Sequence, residues 1–168
     1  MESLILLVLA LLGCCLGSFT NVVAWRCPRR ESVVTPGSHC PRCGHSIRWH
    51  DNVPVLGWLL LGGSCRDCGS AISWRYPAVE ALSAVLWLSA VLVQFGGGLP
   101  EQLLPWAGLP LVALLLPLVL IDLDHLYLPE PLCRWGLVLG ILLSSSGGVV
   151  LLSDHLMSAA AALLVLEG

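Results

Sequence analysis

Four cysteines and one aspartate carry the chemistry open to this chain. Cys40-Pro41-Arg42-Cys43-Gly44 and Cys65-Arg66-Asp67-Cys68-Gly69 are two Cys-x-x-Cys pairs in a polar stretch, with 21 residues between Cys43 and Cys65. That interval lies just beyond the roughly 15–20 residues usual for structural zinc. The glycine after each pair permits the tight turn that lets both thiolates face one ion, and four thiolates make a closed tetrahedral site. Cys40, Cys43, Cys65 and Cys68 are therefore expected to hold a structural zinc rather than a catalytic one. Two disulfides would use the same residues only in an oxidising compartment. His39, His45 and His50 could substitute as ligands but read first as solvated loop histidines. Cys14, Cys15 and Cys133 read as small apolar fillers.

The aspartate is Asp122, in Ile121-Asp122-Leu123-Asp124-His125, where a long apolar run meets its first acid. A carboxylate at a membrane edge is costly unless it is used. Two acids sharing a proton can hydrolyse a peptide bond, because the ionised one draws a proton from water while the protonated one polarises the carbonyl. One acid cannot divide those roles. Without a partner, Asp122 and Asp124 read equally as solvated boundary residues, with His125 matching a helix C-terminal dipole. Glu80 reads as an acid favoured near a helix N-terminus, at the membrane edge. Asn21, in apolar surroundings, needs a hydrogen-bond partner. Gly17 and Ser18 suit close helix contact, Trp25 an interface, and Arg26 a snorkelling boundary charge.

The elements that must position these groups follow from composition. The chain has 168 residues, 57% apolar and 11% charged, with a mean hydropathy of +0.86, which nearly excludes a water-soluble globule. A formal charge of -3 leaves no footprint for nucleic acid. A bilayer core of about 30 Å needs about 20 apolar helical residues. Candidate spans are Leu4 to Trp25, Ala78 to Phe95, Leu103 to Ile121 and Leu132 to Leu152, with a further run from Leu156 to Leu166. A cleavable signal is the competing reading of the first, but Glu2 leads it, without Lys or Arg. Pro105, Pro110 and Pro117 are tolerable in a membrane helix whose neighbours re-satisfy the backbone.

Seven of the eight arginines, Arg26 through Arg75, lie between the first two spans, so the positive-inside rule makes that loop cytoplasmic. Asp122 then falls on the cytoplasmic side and Asp154 on the opposite one. The expected fold is an all-α polytopic membrane protein with a cytoplasmic four-cysteine zinc-ribbon-like loop. Residues 1–25 form the first transmembrane helix, 26–77 the zinc-binding loop domain, and 78–168 a membrane domain of about three further spans, the last incomplete. No internal repeat is evident in the sequence.

Gly17-Ser18-Phe19 with Asn21, Arg26 and Pro28, then the two cysteine pairs with Asn52-Val53-Pro54 and Gly62-Gly63 between them, then Tyr76-Pro77 with Glu80, then Ile121-Asp122, occur in order. This set resembles the type IV prepilin peptidases over about Leu4 to Leu152. The resemblance implies a multi-pass bacterial inner-membrane aspartic endopeptidase that removes leader peptides from type IV prepilins or type II secretion pseudopilins. It further implies N-methylation of the new N-terminus with S-adenosylmethionine. By the same resemblance Asp122 is the first catalytic aspartate, Asp124 a second acid of its motif, and the four cysteines a tetrad linked with zinc and methyl transfer.

Two departures stand out. Glu130 follows Leu128-Pro129 where the family usually has Asp, and no Gly-x-Gly-Asp tetrad, which carries the family's other catalytic aspartate, occurs in the 168 residues. Asp154 is expected across the membrane, and Asp124 sits two residues from Asp122, so neither is expected to complete the dyad. With the half-length last run, this reads as a truncated or frameshifted member that lacks its own proteolytic pair. The alternative is a non-enzymatic membrane assembly or scaffold protein whose zinc loop docks partners. Substrates would be prepilins, the bilayer the other partner. The sequence leaves the oligomeric state and the residues that bind the methyl donor open.

Overall fold

The structure, a computed structural model, describes residues 2–95 and 108–146. Among these residues the α-helices are, in order, α1 Glu2–Arg26, α2 Leu56–Leu60, α3 Arg75–Phe95, α4 Gly108–His125 and α5 Glu130–Ser146, with a short 3-10 turn, Cys27–Arg29, after α1. Among the described residues there is no strand, only two isolated bridges within the polar loop. Of the described residues, the segments Ser3–Arg29 and Arg75–Leu92 are long and apolar enough to cross a membrane. The start of the third apolar stretch at Leu103, the end of the fourth at Leu152, Gly96 to Pro100, Asp154 and Leu156 to Leu166 all lie outside the described residues.

Glycines let α1 and α3 meet backbone to backbone. A Cβ on Gly13 would lie 2.7 Å from the Ala84 Cα, and one on Gly17 would lie 2.6 Å from the Glu80 Cα. Small residues four apart on α1 thus dock against α3, the close backbone approach that small side chains permit. Thr20, Asn21, Val23 and Ala24 continue the buried face of α1, and Val79, Glu80, Ser83 and Ala84 that of α3. The Asn21 side-chain amide donates to the Tyr76 carbonyl at 3.2 Å, which supplies the partner its apolar setting demands.

Helix α4 lies against both α1 and α3, and α5 against α4. Pro117 stands inside α4; Pro77 falls in the first turn of α3, where a missing N–H costs little. Leu126, in the left-handed region at φ 51°, ends α4, and its N–H donates to the Asp122 carbonyl at 2.8 Å. Ile121 is fully buried, whereas Asp122, Leu123 and Asp124 are exposed. The end of α4 therefore turns from core to surface within one residue.

Candidate metal centre and the acidic helix end

Residues 38–49 and 63–74 fold the same way, 25 positions apart. Cys40 N–H donates to the His45 carbonyl and Gly44 N–H to the Cys40 carbonyl, at 2.9 and 2.8 Å; Cys65 to Ser70 and Gly69 to Cys65 repeat this at 2.8 and 2.9 Å. Ile47 to Ser38 and Ile72 to Gly63 close each knuckle at 2.8 and 2.7 Å, over the bridges His39 to Ser46 and Ser64 to Ala71. Gly44 and Gly69 take φ 71° and 69°, the left-handed turn that favours glycine. The sequence holds the signal that this unit repeats, because Cys40, Cys43, Gly44, Ile47 and Trp49 recur as Cys65, Cys68, Gly69, Ile72 and Trp74.

The two knuckles bring the Sγ atoms of Cys40, Cys43, Cys65 and Cys68 within 4.8 Å of one another, and Cys40 and Cys68 stand 3.8 Å apart. A tetrahedral zinc with Zn–S bonds of about 2.3 Å separates its sulfurs by about 3.8 Å. The donor set fits such an ion, and the four cysteines could hold a metal. All eight cysteines are free thiols. His39 bonds the Gly37 carbonyl at 3.0 Å and His50 lies 3.6 Å from Asp51; neither belongs to the cluster.

The protons of the tetrad are held unevenly. The Cys43 amide, the Ser70 hydroxyl and the Arg42 amide favour a thiolate at Cys40 and lower it to about 6. The Ser70 hydroxyl and amide likewise lower Cys68. The His45 amide pulls Cys43 down, but desolvation and the sulfurs of Cys40, Cys68 and Cys65 outweigh it and push that thiol up to about 12. Thiolate charge, the form a metal needs, thus collects on Cys40 and Cys68.

Charged pairs hold the knuckles to each other. Arg66 grips Asp51 with two bonds of 2.7 and 2.6 Å, which keeps that carboxyl below its ordinary range, and Arg48 reaches Asp67 at 3.5 Å. The Trp58 indole on α2 donates to the Ile72 carbonyl at 3.0 Å, with its ring 2.8 Å from where a Cβ on Gly63 would sit.

Glu80 ties this loop to the helices. Its Oε2 accepts the Val55 N–H at 2.6 Å. Val55 has φ 62°, a region costly for a β-branched residue unless its surroundings fix it. The helix-dipole expectation for Glu80 misses this role because Val55 lies 25 residues away. Arg26 also departs from expectation. It is 8% exposed and donates to the Ser32 and Gly37 carbonyls at 2.9 and 3.3 Å, so it folds into the loop rather than extending to a boundary. Arg29, stacked 3.7 Å from the Trp25 ring centre, takes the surface position.

The acidic helix end sits beside the start of α3. Arg75 binds Asp124 through both oxygens, at 2.9 and 2.5 Å. The guanidinium holds the Asp124 carboxyl below the usual carboxylate range. Asp124 is thereby committed as an anion, and α4 runs regularly through both acids, so it offers Asp122 no shared proton. Asp122 itself is exposed, and among the described residues no carboxylate bonds to it. Glu130 lies 3.7 Å from Arg134 on α5, both exposed.

The sequence profile of the bacterial peptidase A24 N-terminal domain matches residues 11–94. The chain is 46% identical over 156 residues to a prepilin leader peptidase/N-methyltransferase of Myxococcus xanthus, covering 93% of the chain and 45% of that protein. It is 40% identical over 148 residues to a type 4 prepilin-like proteins leader peptide-processing enzyme of Escherichia coli, covering 77% and 53%. A prepilin leader peptidase/N-methyltransferase of Pseudomonas aeruginosa is 36% identical over 184 positions, covering 93% and 60%. The chain thus spans about half the length of the curated relatives it matches. No solved structure matches it.

Proposed function

Because the chain belongs to the prepilin leader peptidase/N-methyltransferase family, we propose that it serves prepilin maturation at the bacterial inner membrane. In this reading it is a polytopic protein with its cysteine loop in the cytoplasm. The work it shares in is removal of a prepilin or pseudopilin leader and N-methylation of the new terminus. The observation that carries it is the Arg75–Asp124 pair, which joins the end of the cysteine loop to a point two residues from Asp122. Loop and acid then meet one substrate segment on one membrane face.

Asp122 is the acid we assign to water activation. It is exposed and pairs with no cation among the described residues; its role would be to draw a proton from water, while a second, protonated carboxyl must polarise the scissile carbonyl. Asp124 cannot be that second acid, since Arg75 holds it ionised. Zinc on Cys40, Cys43, Cys65 and Cys68 would supply fold rather than chemistry, because four thiolates leave no open position. S-adenosylmethionine would supply the methyl group; we assign no residue to it.

The second reading is a membrane scaffold whose loop docks partners. Co-expression with a prepilin separates the two. Leader removal is followed by gel mobility and methylation by mass spectrometry of the new terminus. Cleavage by the wild type that Asp122→Asn abolishes supports the peptidase, whereas an uncut prepilin with the wild type supports the scaffold.

A further inference from the structure

Arg26 is a buried cation. Among the described residues no carboxylate pairs with it, and two backbone carbonyls are its hydrogen-bond partners. A guanidinium has five N–H donors, so three remain. A buried charge without an opposite charge is expensive. Glu80, the acid that reaches this part of α1, is already bound to the Val55 N–H.

Arg26 also lines a cavity of about 300 Å3 between α1 and the segments 33–38 and 52–54. The α1 residues on its wall are Cys15, Ser18, Phe19, Val22 and Arg26. By helical period most of these lie opposite the Gly13 and Gly17 face that meets α3. Cys15, Phe19 and Val22 make an apolar stripe beside Ser18 that climbs about 16 Å to the positive charge of Arg26. Val33 and Val34 extend the apolar wall, and Arg26 is the only charged residue on it. A small polar anion would satisfy the guanidinium but waste the stripe. The S-adenosyl donor, with a sulfonium and an ammonium against one carboxylate, is a net cation and would be repelled.

We propose that this cavity binds an anionic phospholipid, its phosphate on Arg26 and its acyl chain along Val22, Phe19 and Cys15. The site rests on the membrane placement of α1 and not on Asp122, so failure to bind lipid and failure to cut a prepilin are separate outcomes.

The test is native mass spectrometry of the delipidated full chain in detergent, titrated with phosphatidylglycerol, diacylglycerol or inorganic phosphate. The wild type is expected to retain one phosphatidylglycerol in preference to diacylglycerol. Arg26→Gln should bind it about tenfold more weakly, as loss of a charge-assisted hydrogen bond implies. Arg26→Lys should recover part of that loss, and Arg29→Gln should bind as the wild type does. If Arg26→Gln does not fold, Gly37→Leu gives the answer. Gly37 lines the cavity, and a Cβ there meets no atom within 4 Å, so a leucine can block the site and should reduce retention. Equal retention of diacylglycerol, displacement of lipid by inorganic phosphate at equal concentration, or unchanged binding in the folded variants overturns the proposal.

Discussion

Arg75 and Asp124, 49 residues apart, form a two-bond ion pair that fixes the first turn of α3 against the last turn of α4. It commits one of two neighbouring acids to structure and leaves the other, Asp122, open to solvent. The pair also puts the exit of the cysteine loop and the candidate catalytic acid at the same end of the helix bundle.

The pair makes stability depend on pH with a definite sign. Arg75 depresses the Asp124 carboxyl, so its contribution is full above the unfolded value of 3.8 and disappears as pH falls through the lower folded value. Both side chains are partly exposed, 41% and 34%, which limits the pair to about 0.2–1 kcal/mol. Asp124→Asn should melt below the wild type at pH 7 and approach it near pH 3. A gap that persists unchanged in detergent melts at pH 3 would exclude the ion pair as its source.

Metal removal should loosen the polar loop while leaving the α1 and α3 pair folded. The purified chain is expected to carry about one zinc, which strong chelation or replacement of all four knuckle cysteines by serine removes. Trp58, held to Ile72 and lying over Gly63, reports the second knuckle, so its fluorescence should shift towards that of an exposed indole as zinc leaves. Helical circular dichroism should fall only slightly. Zinc retained by the four-serine variant would refute the site.

Local chemistry was the part of this molecule legible in its sequence. Cysteine spacing and trailing glycines announce a knuckle because the turn is made by adjacent residues. The need of Asn21 for a partner follows from its apolar surroundings, although Tyr76 could not be named. Arg26 and Glu80 were not legible. Their partners, Gly37 and Val55, are 11 and 25 residues away and are reached through a loop whose path depends on the knuckles. A helix-end rule considers only the helix, and so predicts snorkelling for one and a dipole role for the other. The doubled knuckle was legible through Ile47/Ile72 and Trp49/Trp74, because the cysteine pairs alone do not distinguish a repeated unit from a shared metal site.

Glu80 should be replaceable by glutamine but not by leucine. The glutamine carbonyl can still accept the Val55 N–H, whereas leucine leaves that donor unsatisfied at a cost of about 1–3 kcal/mol and releases the left-handed backbone at Val55. Limited proteolysis of residues 50–60 should proceed at the wild-type rate in Glu80→Gln and much faster in Glu80→Leu. Equal cleavage of all three proteins would show that Glu80 does not hold the loop.

Gly17 tests the helix contact on which the rest is built. A Cβ there would lie 2.6 Å from the Glu80 Cα and 3.0 Å from the Val79 carbonyl oxygen, both backbone atoms that cannot rotate away. Even alanine must push α1 from α3, and overpacking of this kind costs about 1–3 kcal/mol. The displacement should also strain the Asn21 to Tyr76 bond, which spans the same interface, and shift Glu80, which holds the loop at Val55. Gly17→Ala is thus expected to lower the melting temperature and to speed proteolysis at residues 50–60. Gly37→Ala, at a position with open space beside it, should do neither. Equal stability of the two variants would mean that α1 and α3 do not approach this closely.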